Sequence, residues 1–149
     1  MTTLEFAQRN LFGPLNIHKV MWETKNRHYA GGFGLHLSIY DMAKLGQLFL
    51  QKGRWKGKQI VSEKWVQEAT KAALDCNYPG IDIKYGYQWW VHTTNGHKGY
   101  RAHGRGGQFV VVFPDLDMVI AVNSIIDPIQ RQPSMHYDYL FHRITQAID

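Results

Sequence analysis

At 149 residues, with 44% apolar content and no low-complexity tract, the chain suits one globular domain and is excluded from the disordered and fibrous classes. No apolar run approaches the roughly 20 residues a membrane-spanning helix needs, and the single Cys76 excludes an internal disulfide and a cysteine-rich zinc site. The net charge of +5 is scattered over Lys25, Arg27, Arg54, Lys56, Lys58, Lys98, Arg101 and Arg105 rather than gathered into a basic tract, so nucleic-acid binding finds no support.

Met1 to Glu5 carry no basic segment followed by an apolar one, so no signal peptide is expected. Thr3 is placed to cap a short helix to about Asn10, with Leu4, Ala7 and Leu11 on one side, and Gly13-Pro14 ends it. Residues 15–29 show no period and read as irregular connection, followed by the glycine-rich loop Ala30-Gly31-Gly32-Phe33-Gly34. Ser38 opens the clearest helix of the first half. It has capping-box spacing to Asp41 and an apolar stripe of Ile39, Met42, Leu45 and Phe49, and Gly53 stops it. A basic turn surrounds Gly57. Ser62 then caps a helix to about Ala72 whose buried face is Trp65, Ala69 and Ala72, and residues 75–80 read as loop.

From Tyr85 the pattern turns to β. Residues 85–91 are aromatic and strand-like, and Asn95-Gly96 is a strong hairpin signal. Gly99 to His103 is the next strand. Phe109 to Phe113 and Met118 to Asn123 form an antiparallel hairpin across Pro114-Asp115-Leu116-Asp117. The first of these two strands is apolar on both faces and reads as the buried spine of a sheet. Gln130 to Pro133 connect to a last helix, capped by Ser134, with Tyr137, Leu140, Phe141, Ile144 and Ile148 on its apolar face. Helices, then an antiparallel sheet, then a helix give an α+β layout.

Chemistry concentrates where Ala102-His103-Gly104-Arg105-Gly106-Gly107-Gln108 opens onto that spine. Glycines there allow a close backbone approach, and the turn presents N–H groups at a rigid sheet edge. The eight histidines show no H-x-x-x-H spacing, so no metal is called for. Ser38, Ser62, Ser124 and Ser134 lack a lysine three residues later, and no G-x-S-x-G elbow occurs. Three of those serines are accounted for as helix caps, and Cys76 has no evident base. Trp89 and Trp90 point to opposite sides of a strand, one to the core and the other to a pocket.

Four blocks carry a resemblance. They are Gly31-Gly32-Phe33-Gly34-Leu35-His36-Leu37-Ser38 with Asp41 to Gly46; Gly57 to Ser62 with Trp65-Val66; Tyr85 to Trp90; and Ala102 to Gln108 with Phe113-Pro114-Asp115-Leu116-Asp117. In this order and spacing they resemble the serine β-lactamase-like hydrolases: class C β-lactamases, related esterases and the 6-aminohexanoate-dimer hydrolase branch. That family performs acyl transfer with a Ser-x-x-Lys helix, a Tyr-x-Asn loop and a Lys/His-Thr-Gly strand. The sequence contains neither of the first two. The resemblance therefore implies the C-terminal part of the β-lactamase/transpeptidase-like fold. Residues 1–149 would be a single incomplete domain, helical over 1–80 and sheet plus C-terminal helix over 81–149.

In the third motif Gly104 matches the glycine and Ala102 stands where the family often has a cation. Ester or amide substrates are accordingly favoured over β-lactams. By resemblance the Arg105 backbone N–H is an oxyanion donor, and Ala102, His103, Gly104, Gly106 and Trp90 line the substrate side. No cofactor is implied. The chain is expected to be inactive alone and to self-associate or pair with a chain carrying the other half. The alternative is a stand-alone binding module derived from that fold.

Overall fold

The computed structural model describes residues 1–78, 81–104, 106–124 and 134–148. Helix α1 (Thr3–Ala7) is capped by Thr2 rather than Thr3, because Thr2 and Glu5 satisfy each other's backbone N–H groups in a capping box. It runs on into a π-helical turn, Gln8–Phe12. The stretch read as irregular contains two-residue strands. β1 (Met21–Trp22) pairs with β4 (Leu35–His36), and β2 (Thr24–Lys25) with β3 (His28–Tyr29).

Ser38 caps α2 (Ile39–Leu50), accepting the Asp41 N–H and donating to the Asp41 carboxylate. The single stripe expected on α2 is corrected, because this helix is buried on two sides. Leu45 and Leu48 pack into a core with Ala7, Phe12, Leu15 and Ile17, whereas Met42 and Phe49 pack on the sheet and Ile39 is exposed. Gly46 lets α2 approach closely: a Cβ there would lie 2.5 Å from Val119 Cγ1 and 2.8 Å from Val110 Cγ1. The hairpin β5 (Arg54–Trp55) with β6 (Lys58–Gln59) follows. Helix α3 (Glu63–Ala69), capped by Ser62, is shorter than expected. It buries Val66 and Ala69, leaving Trp65 and Ala72 exposed.

Six strands build the main sheet: β7 (Leu74–Tyr78), β8 (Ile81–Tyr85), β9 (Trp90–Thr94), β10 (His97–Gly104), β11 (Gln108–Phe113) and β12 (Met118–Val122). They lie in the order 12-11-10-9-8-7, each antiparallel to the next. Two expectations are corrected here. Residues 74–78, read mainly as loop, are an edge strand, because pairing with β8 supplies the partner their sequence does not announce. Residues 85–91 are not one strand. The chain turns over 86–89, closed by Gly86 N–H to Trp89 C=O at 2.8 Å, and Trp89 enters the core. Asn95 (φ 50°) and Gly96 (φ 85°) form the β9–β10 turn.

One sheet face packs Tyr100, Val110, Val112 and Val119 on α2. The other packs Phe109, Val111 and Phe113 on Phe141 of α4 (Ser134–Gln146). On α4, Tyr137, Phe141, Ile144 and Thr145 face inward, while Leu140 and Ile148 are exposed, shortening the predicted stripe. The expected Gln130–Pro133 connection and the side chain of Ser134 lie outside the described residues. No described helix is long and apolar enough to cross a membrane.

Candidate functional site

Pairing between β9 and β10 stops at Arg101↔Trp90, whereas pairing between β10 and β11 continues through Ala102↔Val110, His103↔Phe109 and Gly104↔Gln108. β10 therefore overhangs β9 by three residues. Among the described strands nothing pairs with the outer edge of 102–104, an unpaired stretch of strand edge beside the glycine turn. Trp90 marks its near end, its ring packed on Tyr85 (4.7 Å) and 6.4 Å from the His103 ring.

Strand alternation divides the predicted site residues. Ala102 and Gly104 project toward the α2 side, with Ala102 packed against that core. Trp90 and His103 project toward the α4 side, with His103 stacked on Phe109 at 4.3 Å. Burial, then the nearby Arg101 guanidinium, lower the His103 pKa against the opposing pull of Asp138. Arg105 lies outside the described residues.

The turn itself is heavily bonded. Gly107 N–H donates to Gly104 C=O at 3.1 Å. The Gln108 side chain folds back to accept the Gly106 N–H (3.1 Å) and to donate to the carbonyls of Gly106 (2.9 Å) and Ser124 (3.0 Å). Two of the turn's amides are thus consumed internally. In the sequence Gln108 stands out only as part of a motif, Ser124 only as a serine without a nearby base and Tyr137 only as part of an apolar stripe, since nothing local announces a contact between residues so far apart.

Next along β10, Arg101 is buried and paired with Asp138 of α4, its guanidinium 5.7 Å from the Phe109 ring centre and 6.0 Å from that of Phe141. His92 is buried beside this pair, held at about 4 by burial and then by Arg101. No cluster able to hold a metal ion occurs among the described residues.

The fold is thus a mixed α and β one, with an overhanging strand, a glycine turn and a helix behind the sheet. Residues 2–139 match the Beta-lactamase family model, and the chain belongs to that family. Among solved structures it is similar to a protein described as a 6-aminohexanoate-dimer hydrolase from Bacillus anthracis (22% identity, TM-score 0.79, covering 99% of this chain and 38% of that one). It is also similar to an octameric penicillin-binding protein homologue from Pyrococcus abyssi (15%, 0.70, 95% and 37%). A third likeness is to simvastatin synthase from Aspergillus terreus (14%, 0.64, 96% and 49%). The chain thus spans between about a third and a half of the length of these structures. No curated protein matches it in sequence.

Proposed function

We propose that this chain is the turn-and-edge wall of a serine acyl-transfer site acting on ester or amide substrates, and that it does not complete the reaction alone. The observation that carries the reading is the three-residue overhang of β10 beside the glycine turn. An unpaired strand edge offers backbone donors and acceptors to an extended substrate. By resemblance to the family's glycine strand, the Arg105 amide is the donor we assign to the acyl oxygen. A donor of this kind is worth about 3–4 kcal/mol of barrier. Ala102 lines the edge without a cation, which favours neutral esters and amides over a substrate carboxylate. His103, Gly104, Gly106 and Trp90 complete the wall.

The attacking hydroxyl and the amine that takes its proton have no counterpart in the sequence, which holds neither Ser-x-x-Lys nor Tyr-x-Asn. In this reading residues 1–149 are one incomplete domain. β12 supports it, since among the described strands only β11 pairs with it and all five of its residues are only half-buried. Such an edge favours self-association or pairing with a chain that supplies the other half.

Nitrocefin and p-nitrophenyl ester assays are expected to give no rate above a Gly104→Trp control, and a clear difference would overturn the assignment. Size-exclusion chromatography should give a species larger than the 17.3 kDa monomer. A clean monomer would favour the other reading, a binding module that uses the same edge.

A further inference from the structure

The glycine turn is tied to helix α4 through two side chains that neither the family match nor the sequence motifs assign. Ser124, two residues past β12, places its Oγ 3.1 Å from the Gly107 carbonyl and 3.3 Å from the Gly106 carbonyl, and pairs with the Tyr137 hydroxyl. Proton accounting fixes the direction. A carbonyl can only accept, and Ser124 has one hydroxyl proton. If that proton went to Tyr137, the serine lone pairs would face both carbonyls. Tyr137 therefore donates to Ser124, and Ser124 donates to the turn.

Gln108 closes the other side, holding both the N–H and the C=O of Gly106 and reaching the Ser124 carbonyl. Gly107 has φ +79°, and a Cβ there would collide with both the Ser124 and the Tyr137 hydroxyls. A Cβ at Gly106 would lie 2.5 Å from Gln108 Nε2. The closer fit is at Gly107, where the positive φ and the two hydroxyls together leave no room for a side chain. Tyr137 is held in turn by its ring against Phe109 (4.6 Å) and by the neighbouring Asp138–Arg101 pair.

We infer that Gln108, Ser124 and Tyr137 are positioning residues, and that through them the seating of α4 sets the shape of the glycine turn. Their service to acyl transfer rests on the reading above; the mechanical coupling does not.

Amide hydrogen exchange on the 15N-labelled chain tests it. Gln108→Met keeps the side-chain length and removes its hydrogen bonds. Tyr137→Phe keeps the ring on Phe109 and removes only the hydroxyl. Exchange at Gly106 should rise about tenfold in Gln108→Met, and at Gly107 at least about threefold in Tyr137→Phe, with Tyr100 and Val111 in the β10–β11 ladder unchanged. Exchange at Gly106 and Gly107 within about twofold of the parent in both variants would overturn the inference. So would an equal rise at Tyr100 and Val111, which would mark general loosening. No turnover enters the measurement, so this inference and the hydrolase reading can fail separately.

Discussion

On the α2 side of the sheet, Tyr100, Val110, Val112 and Val119 meet Met42, Phe49 and the bare backbone of Gly46. On the α4 side, Phe109, Val111, Phe113 and Phe141 share the interface with Arg101–Asp138, His92 and the Tyr137–Ser124 pair. Asn95 adds to this second set, donating to the His142 carbonyl and to Thr145 Oγ1, both at 2.8 Å. Apolar burial is non-directional and tolerates small slides of one surface over another. Buried polar pairs do not, because a shifted helix would leave each partner unsatisfied. Helix α2 therefore supplies cohesion, whereas α4 is held in one register. The glycine turn is attached to the side whose register is fixed.

Three measurements put this contrast at risk. The largest effect belongs to Asp138→Ala, which strands the buried Arg101 charge and should cost about 3–5 kcal/mol in chemical denaturation. Replacing both partners, Arg101→Met with Asp138→Leu, should recover most of that loss. If the double variant is no more stable than the single, the pair is not the source of the cost.

Next comes pH. His92 titrates near 4 when folded against an ordinary 6.5, because burial and then Arg101 oppose its charge, with Asp138 acting the other way. Between these values the unfolded chain binds a proton that the folded chain does not, so stability is lost as pH falls from about 6.5 to about 4. The loss is on the order of 3 kcal/mol, at about 1.4 kcal/mol per unit. His103, lowered for the same reasons, contributes with the same sign. Denaturation midpoints measured from pH 7 to pH 4 should slope downward and flatten in His92→Leu; a flat parent curve contradicts the assignment.

The smallest effect is on the apolar side. Gly46→Ala gains about 1 kcal/mol of helix propensity but forces a methyl against Val119 and Val110. Set against an overpacking cost of about 1–3 kcal/mol, the net should be a loss of up to about 2 kcal/mol. A rise in Tm would mean that α2 can slide away freely.

What was legible in the sequence was local. The Ser38 and Ser62 caps, the Asn95-Gly96 turn and the β11–β12 hairpin each follow from residues within a few positions of one another. The family blocks, spaced along the chain, gave the fold class. What escaped was decided at a distance. A helix between two cores buries two stripes, so Leu48 took the place the pattern gave to Ile39. Leu74 to Tyr78 became a strand because β8 lies beside it. The overhang of β10 depends on where β9 begins, and that depends on the turn that carries Trp89 into the core. The brace joins Ser124 to a helix residue 13 positions away, and no periodicity marks such a contact.

Among the described strands the main sheet is a meander, each strand hydrogen-bonded to its neighbours along the chain. Short spans are cheap to close, and local contacts shorten the search for the native arrangement. Assembly can therefore zip outward from a single nucleus such as the Asn95-Gly96 hairpin, without waiting for a distant segment to thread into the middle. The sheet faces on which α2 and α4 pack are thus drawn from one continuous stretch of chain, residues 74–122.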